Sequence, residues 1–223
     1  MCQNEMRRKE VKNVDRFFDV GGPVYRVLAK IWGLMVLNFC ILITSLPLVT
    51  TGVSLSAAYT VCFKMHEKND MQVTKNYFVA FKQNFKQSMV FSMIQSLLSV
   101  LFIVDGWYFV QTFHGITLPM VGVGVTALFI LFITQYLYAY IARYQDSLKN
   151  SLVNSLKLTV MNVFTSILLA GMSIGVIALM FLSSNLFVFI LYMSVFIGIA
   201  FMIFLKSFLL LGIFKKYEKI KEI

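Results

Sequence analysis

Apart from Lys30 near the start of the first apolar stretch, two charged side chains lie inside or at the edge of the apolar stretches of this sequence, and they are its first candidates for chemistry. Asp105 stands directly before Gly106, Trp107 and Tyr108, whereas Lys206 follows a long apolar run. Because a charge inside a membrane is costly, such residues are functional candidates by default. The aromatic pair is typical of a membrane interface, so we favour a solvated interfacial carboxylate for Asp105 over a buried acid. Lys206 is expected to snorkel towards headgroups at the opposite face, so the two side chains form no proton relay.

The other side chains that often carry chemistry are isolated. Cys2, Cys40 and Cys62 form no CxxC pair, and neither His66 nor His114 has a second metal ligand nearby. A structural metal site requires several such ligands close together. The sequence also contains no GxxxxGK[ST] loop for nucleotide phosphates, no HExxH and no GxSxG. It therefore predicts no metal, no cofactor and no enzymatic activity.

The composition excludes an ordinary soluble domain. Of 223 residues, 59% are hydrophobic and only 13% are charged, and the mean hydropathy is +0.78. Soluble domains are about one quarter charged. The net charge of +10 needs a partner or a location that favours positive charge, and nucleic acid and anionic lipid are the usual candidates. Because the basic segments adjoin apolar stretches and contain no recognisable nucleic-acid module, we expect anionic membrane lipid and no nucleic acid.

Six stretches are candidates for membrane-spanning helices. Five are long and apolar, and the sixth is shorter, rich in Ser, Thr and Ala, and preceded by Pro47; in chain order the six are 27–49, 51–63, 89–110, 119–142, 158–182 and 186–205. If 51–63 crosses, all 20 Lys and Arg residues fall on one face, which the positive-inside rule makes cytoplasmic. We therefore predict an all-α, polytopic helical bundle in the cell membrane, with six crossings and both termini cytoplasmic. The second crossing is the least certain of the six.

Two amphipathic stretches lie between the spans and repeat each other. Their apolar residues recur at every fourth position, as Val73, Tyr77, Phe81 and Phe85 in the first and Tyr144, Leu148, Leu152 and Leu156 in the second. A shift of 71 residues aligns them, and it also aligns the spans that follow. This pattern predicts two cytoplasmic interfacial helices, each leading into a transmembrane hairpin, in a parallel repeat. The chain then divides into a basic segment 1–26, a hairpin 27–66, the two units 72–142 and 144–214, and a basic tail 215–223.

The amphipathic helices have two interpretations, and both remain open. Their apolar stripes fit the headgroup region, with the lysines on anionic lipid. Alternatively, aromatic residues mixed with Asn and Gln are typical of a protein interface. The first stretch is the better docking candidate, because phenylalanines fill its stripe; its candidate residues are Phe78, Phe81, Lys82, Asn84, Phe85 and Lys86.

An unusual polar run joins the first two spans. It contains Asn38, Pro47, Thr50 and Gly52. Pro47 ends a helix, Thr50 or Thr51 is suited to cap the next one, and Gly52 permits close backbone approach. A tight outer turn is the interpretation that we favour, and a broken helix that lines a small site is the alternative.

A GxxxG pattern, Gly171 and Gly175, lies in the fifth span. Such a pattern allows two helices to approach closely. We favour packing within the bundle, and self-association of the chain stays open.

Two of these segments resemble a known family. The run from Asn38 through Pro47 and Thr50 to Gly52, and the run 78–87, resemble the YesL family (DUF624), small bacterial membrane proteins of unassigned function. Members of that family are typically encoded beside oligosaccharide ABC importers. The resemblance therefore implies a bacterial membrane protein with an accessory role in sugar uptake, and it implies no catalytic residue.

Two functional hypotheses follow from these observations. The first is a non-enzymatic accessory subunit of a carbohydrate ABC importer, docked on the permease or ATPase subunits through 78–87. The second is a small stand-alone transporter or channel for a sugar-like solute. The second requires a polar path through the spans, and its candidate residues are Asn38, Gln95, Asp105, Gln135 and Asn162.

Overall fold

The computed structural model of the chain describes residues 23–112 and 118–221, and within these ranges it is helical without strands. The helices are α1 (Pro23–Thr44), α2 (Thr51–Glu67), α3 (Val73–Thr112), α4 (Leu118–Arg143), α5 (Leu148–Met161), α6 (Val163–Leu182), α7 (Ser184–Met193) and α8 (Ile199–Lys221). A 3-10 turn, Leu48–Thr50, precedes α2, and a π-helical segment, Ser194–Gly198, joins α7 to α8. The all-α prediction is confirmed.

Six helical segments in the described ranges are long and apolar enough to cross a membrane. They are α1, the 3-10 turn with α2, α3, α4, α6, and the continuous α7–π–α8 rod. A helix that is apolar on all sides is typical of a membrane span. The structure thus confirms a polytopic helical bundle with six candidate spans.

Helix α2, the least certain span from the sequence, lies at the centre of the bundle. In its most apolar window 61% of residues are buried, against 6% to 28% in the other spans. Small residues allow neighbouring helices to approach it closely. The Gly52 backbone N–H donates to Ser92 Oγ at 3.1 Å, and Ser88 Oγ donates to Ser56 Oγ at 2.9 Å. The Ser and Ala content that made 51–63 a weak span is therefore what makes α2 a packing centre.

Three of the helices meet at one end of the bundle through ion pairs. Arg143, the last residue of α4, pairs with Glu218 of α8 at 2.7 Å and with Glu67 of α2 at 3.1 Å. The Tyr144 hydroxyl donates to Glu218 at 2.7 Å; burial and this hydrogen bond raise the pKa of Tyr144. We call this the ion-pair end. Helices α2, α4 and α8 run towards it, and α3, which is antiparallel to α2, begins there.

The first amphipathic stretch differs from the separate interfacial helix that we predicted. It forms the first turns of α3, which is 40 residues and about 60 Å long. The second stretch is a separate helix, α5, because the chain breaks at Asn162 before α6 begins. The shift of 71 nevertheless relates the buried faces of the two stretches, which are Ala80, Asn84 and Ser88 in α3 and Ser151, Ser155 and Thr159 in α5.

The half of the bundle away from the ion-pair end is loosely packed. On α3 and α4, large apolar residues such as Leu97, Leu101, Leu128 and Phe129 are exposed. Apolar surface of this kind is what a membrane span presents to lipid tails. The core therefore lies in the half that contains α2, and the other half offers its side chains to the surroundings.

Candidate functional site

A cavity of about 460 Å³ lies among α2, α3, α4 and α8. This volume falls within the range of small-molecule binding sites. Most of its wall is apolar, and the polar side chains that line it come from all four helices; they are Tyr59, Gln95, Ser99, Thr134, Gln135, Tyr138 and Lys206.

Lys206 lies inside the bundle, where it lines this cavity. The residue is 9% exposed, and its Nζ donates to Gln135 Oε1 at 2.9 Å and to Ser173 Oγ at 2.6 Å. The expectation that Lys206 snorkels to the headgroups is therefore wrong. Two neutral acceptors on α4 and α6 hold the ammonium group in the interior, so the side chain does not extend along α8 to the surface.

A second polar pair crosses the cavity between α3 and α4. The Tyr138 hydroxyl donates to Gln95 Oε1 at 2.7 Å. Gly52 makes this position of the ring possible, because a Cβ there would lie 2.4 Å from Tyr138 Cε1. Burial of Tyr138 thus depends on a glycine in the preceding hairpin. Gln95 and Gln135 are among the residues expected from the sequence to form a polar path, whereas Tyr59 and Tyr138 were not predicted.

The polar groups of the cavity gather on the side nearer the ion-pair end. Gln135 lies eight residues before Arg143, about 12 Å along the helix axis. Ala127, at the apolar side of the cavity, lies sixteen residues before Arg143, about 24 Å along it. The same order holds on α2, where Leu55 precedes Tyr59, and the cavity is therefore amphipathic along its length.

The first family motif joins helices and forms a turn, and it does not line the cavity. The buried Asn38 amide donates to the Ser194 and Val195 carbonyls at 2.9 and 2.7 Å, and its oxygen accepts from the Ala200 N–H at 3.0 Å. These bonds attach α1 to the π-helical segment, whose irregular backbone leaves such groups without regular helical partners. Asn38 therefore supplies hydrogen-bond partners at the point where the π-helical segment interrupts the regular helix between α7 and α8.

The turn itself is stabilised by side-chain hydrogen bonds. Thr50 Oγ1 donates to the Thr44 carbonyl at 2.6 Å and to the Pro47 carbonyl at 2.8 Å. Pro47 begins the 3-10 turn, and Gly52 lies against α3 and α4. This geometry is that of a tight connection between α1 and α2, which is the interpretation that we favoured from the sequence.

The second family motif is divided between two faces of α3. Phe78, Lys82 and Lys86 are exposed. Asn84 is buried and its Nδ2 donates to Thr60 Oγ1 of α2 at 3.5 Å, while Phe81 and Phe85 are half-buried. The motif thus packs α3 on α2 with one face and presents an aromatic and basic surface with the other.

The remaining candidates lie apart from one another. Asp105 is exposed on α3, and Asn162 lies at the break between α5 and α6. The His66 ring stacks on Phe204 with 4.2 Å between ring centroids, and its Nε2 lies 3.0 Å from Ser207 Oγ. Within 23–112 and 118–221, no three His, Cys, Asp or Glu residues come together as metal ligands would. Two more candidates, Cys2 and His114, lie outside the described residues.

Comparison with known proteins identifies a family for part of the chain. Residues 34–106 match the family model of a protein of unknown function, DUF624. The match confirms the resemblance to the YesL (DUF624) family. The matched residues run from the middle of α1 into α3 and include both motifs. No curated protein and no solved structure matches the chain.

Proposed function

We propose that this protein is a non-enzymatic accessory membrane subunit of a carbohydrate (oligosaccharide) ABC importer. The observation that carries this proposal is the docking face, which we define as the exposed residues Lys75, Phe78, Lys82 and Lys86 of α3. Their spacing places them on one side of the helix over about three turns. The exposed aromatic residue Phe78 is of a type enriched at protein interfaces, and the three lysines around it would attract a partner surface of negative charge.

The opposite side of the same turns makes the docking face rigid. Tyr77 and Ala80 are completely or almost completely buried, and Asn76 accepts a hydrogen bond from Lys64 Nζ at 3.0 Å. A surface that is already ordered loses little conformational entropy on binding. The face is therefore suited to a fixed contact with another subunit.

The position of the docking face favours the side of the membrane on which an importer's ATPase works. The face lies at the ion-pair end, together with Lys64, Arg143 and Lys215. By the positive-inside rule we infer that this end is cytoplasmic, and both termini with it. The family resemblance implies that the membrane is that of a bacterial cell. Anionic lipid headgroups at the same surface would neutralise the lysines that the partner does not contact.

The link to sugar import comes from the family resemblance. Site-specific crosslinking tests whether the docking face contacts importer subunits. Benzoylphenylalanine is placed at Phe78 of the tagged full chain in sugar-grown cells, and Phe129, exposed on α4, provides the control position. We expect a crosslink to a permease or ATPase subunit from position 78 only. Reversing Lys82 and Lys86 to Glu should abolish it. Crosslinks to lipid alone, or to the same proteins from both positions, would contradict the proposal.

The cavity favours one alternative function, a small stand-alone transporter or channel for a sugar-like solute. Gln95, Gln135 and Tyr138 offer the hydrogen-bonding side chains that a sugar requires, in a cavity of suitable size. Liposomes that contain only this protein test it. Uptake of an oligosaccharide that Gln135→Leu abolishes would support the alternative, whereas no flux for any sugar would count against it.

A further inference from the structure

Three side chains in the cavity have hydrogen-bond donors without a partner among the described residues. Tyr59 is 4% exposed, and its hydroxyl has no hydrogen-bond partner among the described residues. Gln95 accepts from Tyr138, but its amide nitrogen has no described partner. The Lys206 ammonium group carries three N–H donors, of which two bind Gln135 and Ser173. Because buried polar groups are nearly always satisfied, the buried Tyr59 and Lys206 groups, with the half-buried Gln95 amide in the same cavity, point to a ligand rich in acceptor oxygens.

The positive charge of Lys206 indicates that this ligand is an anion. No Asp or Glu is among the described residues that line the cavity, and both hydrogen-bond partners of Lys206 are neutral. Arg143, by contrast, has Glu67 and Glu218 as partners. A buried ammonium group without a counter-charge is costly, and a bound anion removes that cost.

The walls beyond the polar groups are suited to an alkyl chain. On the side away from the ion-pair end, the cavity is lined by Leu98, Phe102 and Ile103 of α3 and by Ile130 and Leu131 of α4. A ligand without an apolar part would leave this surface uncovered. A ligand that fills the cavity therefore needs a polar group at one end and an apolar chain at the other.

We propose that the cavity binds an anionic amphiphile, with its carboxylate or phosphate head on Lys206, Gln95 and Tyr59 and its alkyl chain between α3 and α4. A fatty acid and an anionic phospholipid share this chemistry. The site is separate from the docking face, since its walls come from the interior of the bundle. It therefore does not rest on the proposed importer partner.

Competition binding tests the proposal on the full chain in nanodiscs of zwitterionic phosphatidylcholine. Dodecanoate, dodecanol and glucuronate compete with a fluorescent fatty acid. We expect dodecanoate to bind about tenfold to a hundredfold more tightly than dodecanol, as a charged hydrogen-bonded head implies. Equal binding of the acid and the alcohol, or tighter binding of glucuronate, would overturn the proposal.

Variants show whether Lys206 is responsible for that preference. Lys206→Met should remove the preference for dodecanoate, and Lys206→Arg should keep it. Lys216→Met, at an exposed position of the same helix, should leave it unchanged. If Lys206→Met does not give a monodisperse protein, Tyr59→Phe and Gln95→Leu provide the same test, each with a several-fold loss. A preference that survives in these variants, or that Lys216→Met also removes, would contradict the proposal.

Native mass spectrometry then distinguishes the two sources of the head group. Protein extracted from its own membrane should carry an added mass that corresponds either to a fatty acid or to an anionic phospholipid, and Lys206→Met should carry less of it. Either mass supports the proposal and names the source. An added mass of zwitterionic lipid only, equal in both proteins, would contradict it.

Discussion

The two halves of α3 differ in what they bury, although one continuous helix forms both. In the first half, most of the buried residues are small or polar; they are Ala80, Asn84, Ser88 and Ser92, and Val73 and Tyr77 are buried near its start. In the second half, apolar residues such as Leu97, Leu101 and Val104 are exposed. The large apolar side chains of the second half thus lie outside the contact, and small or polar ones form much of it in the first.

This arrangement, with apolar side chains outside and small polar ones inside, follows from the lipid that surrounds a membrane span. Lipid tails are as apolar as leucine, so burying leucine between helices gains little there. Close approach and interhelical hydrogen bonds stabilise the contact instead, and Gly52 with Ser56 and Ser88 supplies both. The half of the bundle around α2 is held by such contacts, and the other half is held by far fewer. Substitutions in the two halves should therefore have very different effects.

Replacement of Gly52 by leucine should have the largest effect. The added side chain would overlap the Tyr138 ring, which lies 2.4 Å from an ideal Cβ at this position. We expect a loss of about 3 kcal/mol in the free energy of unfolding, the upper part of the range for overpacking. Gly122→Leu in α4 is the matched control, because its Cβ would meet nothing within 4 Å. Thermal unfolding of both variants in nanodiscs measures the difference, and equal stability would disprove the contrast between the halves.

Asn38→Leu should have the second largest effect on the free energy of unfolding. It removes three hydrogen bonds, two to the Ser194 and Val195 carbonyls and one from the Ala200 N–H. The expected cost is about 2 kcal/mol, since hydrogen bonds between membrane helices contribute modestly. Asn185→Leu, at an exposed position of α7, should leave the unfolding midpoint almost unchanged. If both variants unfold like the wild type, the hydrogen bonds of Asn38 do not stabilise the contact between α1 and the continuous α7–π–α8 helix.

Sequence patterns were sufficient to predict the spans, but not the contacts between them. Hydropathy and charge placement identify six crossings, because both depend only on residue types along the chain. The position of Lys206 was predicted wrongly, since its acceptors come from α4 and α6 and no local pattern links them to α8. A signal was nonetheless present, in that Lys206, Gln135 and Ser173 are polar residues within apolar stretches.

The continuity of α3 was missed for a similar reason. The change from an amphipathic to an apolar pattern near Ser88 suggested two helices, but no proline or glycine interrupts the chain there. In the second unit, the corresponding change coincides with a real break at Asn162. Two stretches with the same residue pattern thus have different backbones, since one continues into the next span and the other ends at a break. The shift of 71 residues therefore relates the buried faces of the two stretches, but not the ends of their helices.

The smallest of the three predicted effects lies at the start of α3, where the packed half meets solvent. Asp70 accepts hydrogen bonds from the Gln72 N–H at 2.9 Å and from Asn76 Nδ2 at 2.8 Å. The backbone bond first, and the Asn76 bond second, hold the pKa of Asp70 below its usual range. Because its pKa is lower in the folded state, Asp70 stabilises the fold above its unfolded pKa of about 4, and this contribution is lost as the pH falls through the folded pKa. Asp70→Asn should therefore reduce the fall in unfolding midpoint between about pH 5 and pH 3, an interval that brackets the unfolded pKa. Identical pH profiles for the wild type and Asp70→Asn would show that these hydrogen bonds of Asp70 add nothing to the stability of the packed half.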